Sequence, residues 1–281
     1  NFGQDSSFAG EKTAQGNGGA GFDFYFDPPT DYVALSASNL PNPEIKLPGD
    51  HFNMVLWAGN SSTQSITGVG FQPDFTWIKK RSGVESHQLF DAIRGATEAL
   101  HSDTTAVEAT IANSLTSFDS DGFSLGYVSE VNNSSHTYVG WNWLAGGGAG
   151  SSNTDGATNT TSTSANVTAG FSISTLPSYA GSTTFGHGLS VAPDLVIMKP
   201  VDGADVWLVG STAVGWTKGV VLNTAAAEST NTAYWNNTAP DATVVSLGTQ
   251  GNSYIKVLYC FHSIEGYSKF GTYTGNGDAD G

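Results

Sequence analysis

Two stretches of this chain read almost alike: Gly68-Val69-Gly70-Phe71-Gln72-Pro73-Asp74-Phe75-Thr76-Trp77-Ile78-Lys79 and Gly186-His187-Gly188-Leu189-Ser190-Val191-Ala192-Pro193-Asp194-Leu195-Val196-Ile197-Met198-Lys199. Pro193 follows Pro73 by 120 positions, and Lys199 follows Lys79 by the same interval. Ser246-Leu247-Gly248 repeats Ser124-Leu125-Gly126 at nearly that spacing. Because solenoid repeats are about 20–50 residues long, this period indicates a tandem duplication of whole domains.

The duplication divides the 281 residues into five predicted segments. They are the end of an upstream domain with a Pro-rich linker (1–50), a first repeat (51–145), a linker rich in Gly, Ser and Thr (146–169), a second repeat (170–266) and the start of a truncated third repeat (267–281). The last assignment rests on the likeness of Lys269–Gly277 to Phe52–Asn60. A closing strand of the upstream domain is expected at Phe24–Phe26.

Short apolar or alternating runs, bounded by Gly, Pro, Asn, Asp or Ser, predict strands in both repeats. The runs are Phe75–Ile78, Tyr138–Trp143, Leu195–Met198, Lys218–Leu222 and Tyr254–Phe261. One helical turn is expected near 91–100, with a counterpart near Ala213. The predicted fold class is all-β, with tandem duplicated antiparallel β-sandwich domains joined by the Gly/Ser/Thr-rich linker.

Composition excludes several classes of function. The net charge is −15, and the ten Lys and Arg are scattered apart from Lys79-Lys80-Arg81, so no cationic surface for nucleic acid is expected. No run approaches 18 apolar residues, so no membrane insertion is expected. The single cysteine, Cys260, lies in an apolar run and is expected to be buried.

Several motifs together resemble the repeated β-rich domains of marine bacteriophage tail-fibre-like and other virion structural proteins. They are the Gly68–Lys79 stretch, Leu89-Phe90-Asp91-Ala92-Ile93-Arg94-Gly95-Ala96-Thr97, Ser117-Phe118-Asp119-Ser120-Asp121-Gly122-Phe123, Tyr138-Val139-Gly140-Trp141-Asn142-Trp143 and Glu265-Gly266-Tyr267-Ser268-Lys269-Phe270. The second repeat departs from the pattern at Val206-Trp207-Leu208. Pro28-Pro29-Thr30-x-Tyr32, with Asn39-Leu40-Pro41, resembles the end of a SPRY-like, lectin-like sandwich.

This resemblance implies a structural component of a phage particle, a tail fibre or other surface appendage used in host attachment, located on the virion surface or outside the cell. The partners it implies are other virion proteins, a host surface glycan or envelope protein, and copies of the chain itself. A homo-oligomer follows also from the exposed edges of open sandwiches, with a trimer suggested by analogy to fibres. The resemblance brings no catalytic motif, so no enzyme activity is expected.

Two patterns give candidate binding residues. Tyr234, Trp235 and Asn236 lie in a loop-like stretch and are candidates for contact with a glycan, although packing under the loop is the alternative. Asp119 and Asp121, in Asp119-Ser120-Asp121-Gly122, are candidate Ca²⁺ ligands, with an ordinary turn as the alternative. No other cofactor is expected.

Gly122-Phe123-Ser124-Leu125-Gly126 matches the nucleophile-elbow pattern, but no helix signal follows it, so a strand is predicted. The six histidines have no short spacing suited to metal ligation. Two other classes of function stay open beside the virion protein. One is a secreted carbohydrate-binding module, and the other is a polysaccharide depolymerase, which needs two carboxylates facing across a groove.

Overall fold

A computed structural model gives the structure of the chain. It describes residues 13, 16, 24, 29, 30, 32, 43–249 and 253–278. The chain forms two compact units, Asn1–Lys46 and Leu47–Gly281, and the described strands and helices all lie in the second unit. Within it, residues 47–145 are called the first half and residues 146–278 the second half. Tyr25 and Phe26 of the predicted strand at Phe24–Phe26, and most of the SPRY-like segment, lie outside the described residues.

Short strands make up most of both halves. The first half contains a 3-10 turn at Pro48–Asp50, strands β1 (Phe52–Ala58), β2 (Gln64–Thr67), β3 (Phe75–Lys80), β4 (Gln88–Asp91), β5 (Gly95–Leu100), β6 (Ala109–Thr110), β7 (Leu115–Asp119) and β8 (Gly122–Leu125), helix α1 (Ser129–Asn132) and strand β9 (Thr137–Trp143). The second half contains β10 (Ser162–Asn166), β11 (Phe171–Leu176), β12 (Thr183–Gly186), β13 (Leu195–Pro200), β14 (Leu208–Ser211), β15 (Lys218–Val221), β16 (Ser229–Thr230), helix α2 (Thr232–Trp235), β17 (Val244–Leu247) and β18 (Lys256–Phe261).

Each half pairs one large sheet with one small sheet. The first half has a six-stranded sheet of order β1-β9-β3-β4-β5-β6 and a three-stranded sheet of order β2-β8-β7. The second half has a seven-stranded sheet of order β10-β11-β18-β13-β14-β15-β16 and a two-stranded sheet of order β12-β17. All the pairings are antiparallel, so the predicted all-β fold class is confirmed. The two large sheets share one strand order from β1 and β11 onward, which supports the predicted duplication.

Three apolar cores lie between the four sheets. Trp57, Phe123 and Tyr138 belong to the core between the sheets of the first half. Phe185, Val245 and Leu258 belong to the equivalent core of the second half. A third core, called here the central core, joins residues of both large sheets: Phe75, Leu89, Leu100, Phe171, Ile173, Trp207, Val257 and Tyr259. The large sheets therefore pack face to face, and the unit has four layers.

The four layers explain why β18 is apolar at nearly every position. Successive side chains of a strand point to opposite faces of the sheet. Val257 and Tyr259 enter the central core, whereas Leu258 and Cys260 enter the core of the second half. Since both faces of the large sheet are covered, the strand needs apolar residues on both sides. Cys260 is fully buried, as expected.

The strand predictions are confirmed, with shifts of one or two residues at their ends. The helical turn expected near 91–100 is wrong. Residues 91–94 form a turn between β4 and β5, because Asp91 Oδ1 accepts the amide of Arg94 at 2.9 Å and closes a hairpin. The counterpart near Ala213 is likewise a turn after β14, and it is closed by the Gly215 amide on the Ser211 carbonyl.

The segments between and after the repeats also differ from their predicted character. The predicted linker supplies β10, which pairs with β11 across five residue pairs, so this part of it is sheet. The predicted start of a third repeat contains no strand from Lys269 to Asp278. No helix among the described residues has the length and apolar character needed to cross a membrane.

Candidate functional site

The Pro-Asp of the repeated stretch ties the start of β3 to the end of β9. Asp74 has no solvent exposure, and its carboxylate accepts the amides of Ala145, Gly147 and Gly148 at 2.7–2.8 Å. Its own amide donates to the Trp143 carbonyl at 2.9 Å. Burial raises the pKa of Asp74, while the three amide donors act in the opposite direction. Asp74 thus shapes the glycine run that the sequence marks as a linker.

Asp194 makes the matching contacts in the second half. Its carboxylate accepts the Ser263 amide at 2.8 Å, and its own amide donates to the Phe261 carbonyl at 2.7 Å. His262 Nδ1 lies 3.4 Å from the same carboxylate, which is partly exposed. The repeated Pro-Asp therefore serves the fold in both halves, where it joins the beginning of one central strand to the end of its neighbour.

A buried polar network crosses the central core. The Arg94 guanidinium donates from Nε to Asp91 Oδ2 at 2.6 Å and from Nη1 to Glu108 Oε2 at 2.5 Å. The Tyr259 hydroxyl donates to the same Asp91 oxygen at 2.7 Å. Asp91, Arg94 and Glu108 belong to the first half and Tyr259 to the second, so the network links the two large sheets.

The electrostatics of this network keep Arg94 charged and Tyr259 protonated. Burial alone would lower the pKa of Arg94, but Asp91, Tyr259 and Glu108 outweigh it and raise the pKa above its usual value. Burial raises the pKa of Tyr259 well above its usual value, so its hydroxyl keeps its proton. A buried cation with two carboxylate partners and further carbonyl acceptors is stabilised only while all its partners are present. The arrangement is therefore a structural ion network.

A cavity of about 410 Å³ opens between the two large sheets at one end of the central core. It is called here the central cavity, and aromatic rings form most of its wall: Phe52, Trp77, Trp143, Phe171, Phe261 and Phe270. Phe171 and Phe261 lie 4.8 Å apart between ring centroids, as do Phe52 and Trp143. A volume of this size falls in the range of small-molecule pockets, and its wall suits an apolar group.

The predicted glycan residues Tyr234, Trp235 and Asn236 separate in the structure. Trp235 is fully buried in the core of the second half, where its ring meets Trp216 edge to face at 5.6 Å. Gly210 makes this possible, since a side chain there would collide with both rings. Trp235 is therefore no exposed aromatic platform, and that part of the prediction is wrong. Asn236 is exposed and ends α2 in a left-handed conformation.

Tyr234 is half-buried and lines a smaller cavity of about 190 Å³, called here the Tyr234 pocket. Asp205 and Asn231 also line it, beside apolar side chains such as Met198 and Leu208. Asn231 caps α2 by accepting the Ala233 amide, which fixes this wall of the pocket. An aromatic ring beside a carboxylate and an amide is a combination that can hold a polar ligand with an apolar face.

The predicted calcium ligands are both occupied by hydrogen-bond donors. Asp121 accepts the amides of Gly68 and Gly70 at 3.1 and 2.7 Å, and so shapes the turn at the start of the repeated stretch. Asp119 accepts the hydroxyls of Ser117 and Ser124 at 2.8 and 2.7 Å. The geometry of both carboxylates matches the turn alternative. Within the described ranges, no three His, Cys, Asp or Glu residues form a group that could hold a metal ion.

Ser124, the serine of the nucleophile-elbow pattern, lies in β8, so the predicted strand is confirmed. Two buried lysines form a feature that the sequence analysis did not single out. Lys199 and Lys256 have no solvent exposure, and burial lowers the pKa of each to about 8. Lys199 Nζ donates to the carbonyls of Asp205 and Thr105, whereas Lys256 Nζ donates to the Tyr254 carbonyl. Lys199 thus adds a further polar link between the halves.

Residues 47–281 match the family described as Domain of unknown function (DUF7483), and the chain belongs to this family. No curated protein and no solved structure matches the chain. The matched range coincides with the second compact unit, so the family corresponds to the four-layered fold with both of its halves.

Proposed function

We propose that this chain is a structural and recognition component on the surface of a bacteriophage particle, in a tail fibre or another appendage used in host attachment. The observation that carries the proposal is the central core. It joins two similar halves into one block, and the repeated residues Asp74 and Asp194 hold strands together within that block. Motif residues used in this way suit a protein whose task is to be rigid, and the motifs themselves resemble those of virion structural proteins.

The surface chemistry supports the same proposal. Charged residues make up only 12% of the chain, and the net charge is −15. A polar surface with one sign of net charge keeps neighbouring copies on a particle from clumping without order. Self-association of the chain, and its contact with other virion proteins, belong to this proposal.

The proposal is tested on purified phage particles whose genome encodes this chain. Antibodies against residues 47–281, visualised with gold in the electron microscope, are expected to label a projecting appendage. Antibodies that pretreat the particles are expected to reduce adsorption to host cells. Particles that contain no peptide of this chain by mass spectrometry would refute a place on the virion.

Recognition is proposed to take place in the Tyr234 pocket, with a host surface glycan as the ligand. The half-buried ring of Tyr234 can stack on the apolar face of a sugar, while Asp205 and Asn231 provide polar groups beside it. The expected result is glycan binding by the native chain that weakens at least tenfold with Tyr234→Ala. Tyr273→Ala is the control, because Tyr273 is 94% exposed and lies outside this pocket.

The same pocket favours the second candidate function, a secreted carbohydrate-binding module. The two candidates differ in where the protein resides. Glycan binding that depends on Tyr234, together with absence from purified particles, supports the free module. If the chain is present on particles and Tyr234→Ala binds glycan as well as the native chain does, the virion assignment is retained. The Tyr234 pocket is then rejected as the glycan site.

A further inference from the structure

Strand β1 presents an open sheet edge with two exposed apolar side chains. Met54 is 59% exposed and Leu56 is 57% exposed. On one side β1 pairs with β9 along all seven of its residues. On the other side, no strand from the described part of the chain pairs with it. β1 is therefore a long strand with one row of peptide groups facing outward.

The ladder shows which peptide groups face outward. The Leu144 amide donates to the His51 carbonyl and the Gly59 amide to the His136 carbonyl, at the two ends of the β1–β9 pairing. Because hydrogen-bonded pairs alternate along an antiparallel ladder, the odd-numbered residues of β1 bond to β9. The even-numbered ones, Phe52 to Ala58, therefore direct their peptide groups to the open edge.

Two of these outward groups have partners within the chain. The Met54 amide donates to the side chain of its neighbour Asn53 at 2.9 Å, and the Ala58 carbonyl accepts from Gln64 Nε2 at 3.3 Å. The amide and the carbonyl of Leu56, at the middle of the edge, have no protein partner in the described ranges. The edge is thus ready to accept another strand at its centre.

The second half shows how the same edge is covered there. β11 occupies the place of β1, because Phe171 pairs with Phe261 as Phe52 pairs with Trp143. β10 covers the outer edge of β11, and Ile173, which corresponds to Met54, is fully buried. A strand is therefore the natural occupant of this edge in the fold, and among the described residues no strand covers it in the first half.

The chemistry of β1 points to a second copy of the chain as that occupant. No charged residue occurs from position 52 through position 73, although the chain carries a net charge of −15. Soluble proteins usually protect long edge strands with lysine, proline or a bulge, and β1 has none of these. Two copies can therefore approach each other at β1 without repulsion between nearby charges.

We propose that β1 pairs antiparallel with β1 of a second copy around a two-fold axis at Val55, which makes the two six-stranded sheets continuous. In this register Met54 lies opposite the partner's Leu56, and their outward peptide groups form hydrogen bonds in both directions. The same register buries Met54 against the partner's Leu56 on the face of the central core. The inference rests on the proposed self-association and defines its geometry as a dimer.

A cysteine on the two-fold axis tests the register. Val55 would face the partner's Val55 in a non-hydrogen-bonded pair, whose Cα atoms lie about 4.5 Å apart, within the span of a disulfide. Val55→Cys is therefore expected to give a covalent dimer under mild oxidation at micromolar concentration. Val84→Cys is the control, since Val84 is fully exposed and far from β1 in sequence, and the native Cys260 is buried. Crosslinking no faster than in the control would overturn the register.

Charged substitutions at Met54 and Leu56 test whether the partner of β1 is β1 of a second copy. Met54→Lys with Leu56→Lys places like charges opposite each other across the axis, and we expect at least a hundredfold weaker dimerisation at low salt. Met54→Lys with Leu56→Glu places opposite charges there, and we expect it to restore the dimer. Both changes affect exposed side chains, so near-ultraviolet circular dichroism is expected to stay native.

Sedimentation of the native chain separates this inference from the proposed function. A dimer that the Val55→Cys crosslink captures and that the Lys substitutions weaken supports the β1 interface. A trimer, or a dimer that the Lys substitutions leave intact, overturns the β1 interface and retains self-association. A monomer at tens of micromolar overturns both self-association and the interface, whereas the place on the virion is decided by the particle labelling.

Discussion

The hydroxyl of Tyr259 donates to Asp91 Oδ2 at 2.7 Å, which connects two residues 168 positions apart in the sequence. Tyr259 lies in the middle of β18 and Asp91 at the end of β4, so this hydrogen bond spans the central core between the large sheets. Asp91 also binds Arg94, whose side chain is buried. The stability of each half therefore depends on a polar group that the other half supplies.

Tyr259→Phe is expected to lower the free energy of unfolding by about 1–3 kcal/mol, because it leaves a buried carboxylate oxygen with one donor fewer. Chemical denaturation followed by circular dichroism measures the change. Tyr273→Phe, at a tyrosine that is 94% exposed, is expected to change nothing. Equal stability of Tyr259→Phe and the native chain would show that the hydrogen bond contributes little.

The two repeated aspartates provide a matched comparison. Asp74 accepts three backbone amides and has no solvent exposure, whereas Asp194 accepts one amide and is partly exposed. Asp74→Asn turns a side-chain NH₂ toward amide donors, and we expect it to cost about 2 kcal/mol or more. Asp194→Asn is expected to cost about 1 kcal/mol or less. Denaturation of both variants measures the order, and the opposite order would contradict this account of the motif.

The buried lysines are expected to make stability depend on pH. Burial lowers the pKa of Lys256 and of Lys199 to about 8, whereas a lysine in an unfolded chain titrates near 10.4. Between these values the unfolded chain binds more protons than the folded chain, so the free energy of unfolding rises with pH. The contribution of the lysines to the free energy of unfolding is complete above the unfolded pKa. It is lost as the pH falls through their folded pKa of about 8.

Lys256→Met removes one of these titrations. From pH 7.5 to 9.5 the native chain is expected to gain stability relative to this variant, by at most about 1.4 kcal/mol per pH unit. Denaturation curves across that range measure the difference, in which the titration of Cys260 cancels because both proteins contain it. Lys218→Met, at an exposed ion pair with Glu228, is the control. Its free energy of unfolding is expected to change with pH in parallel with that of the native chain. Parallel curves for Lys256→Met would contradict the lowered pKa.

The central core is expected to make residues 47–278 unfold as one unit. Trp207 is fully buried in this core, and its indole nitrogen donates to the His101 carbonyl of the first half at 2.8 Å. Trp207→Leu is expected to lower the stability of both halves together. Hydrogen exchange by mass spectrometry is the measurement, with faster exchange in β3 as well as in β13. Unchanged exchange in β3 would show that the halves unfold independently.

The fold class could be predicted from the sequence because short apolar runs between turn residues are a local signal. The packing of the halves could not. In a sheet with one face in solvent, β18 would alternate between apolar and polar residues. Its continuous run Val257–Phe261, like Leu195–Met198 in β13, was the hint that both faces are covered. The helical turn expected near 91–100 failed because Asp91 bonds to the backbone of Arg94 and closes a hairpin.

The candidate site was harder to predict for a related reason. Tyr234 and Trp235 are neighbours in the sequence, but α2 directs one ring to a pocket and the other into the core. Composition alone cannot tell which of two neighbouring aromatic residues is buried in the core. The network around Arg94 includes Asp91 and Tyr259, which are 168 positions apart in the sequence, so no local pattern could reveal it. Asp119 and Asp121 fit both a calcium site and an ordinary turn by sequence pattern, and only their hydrogen-bond donors show how the carboxylates are used.

The face-to-face packing of the large sheets limits how this fold can grow. Each half has one apolar broad face that its own small sheet leaves uncovered, and the two halves cover these faces for each other. Two halves that are packed together have no further apolar broad face for a third half. A longer array of such halves would therefore be built from pairs. An unpaired half would need another protein to cover its apolar face.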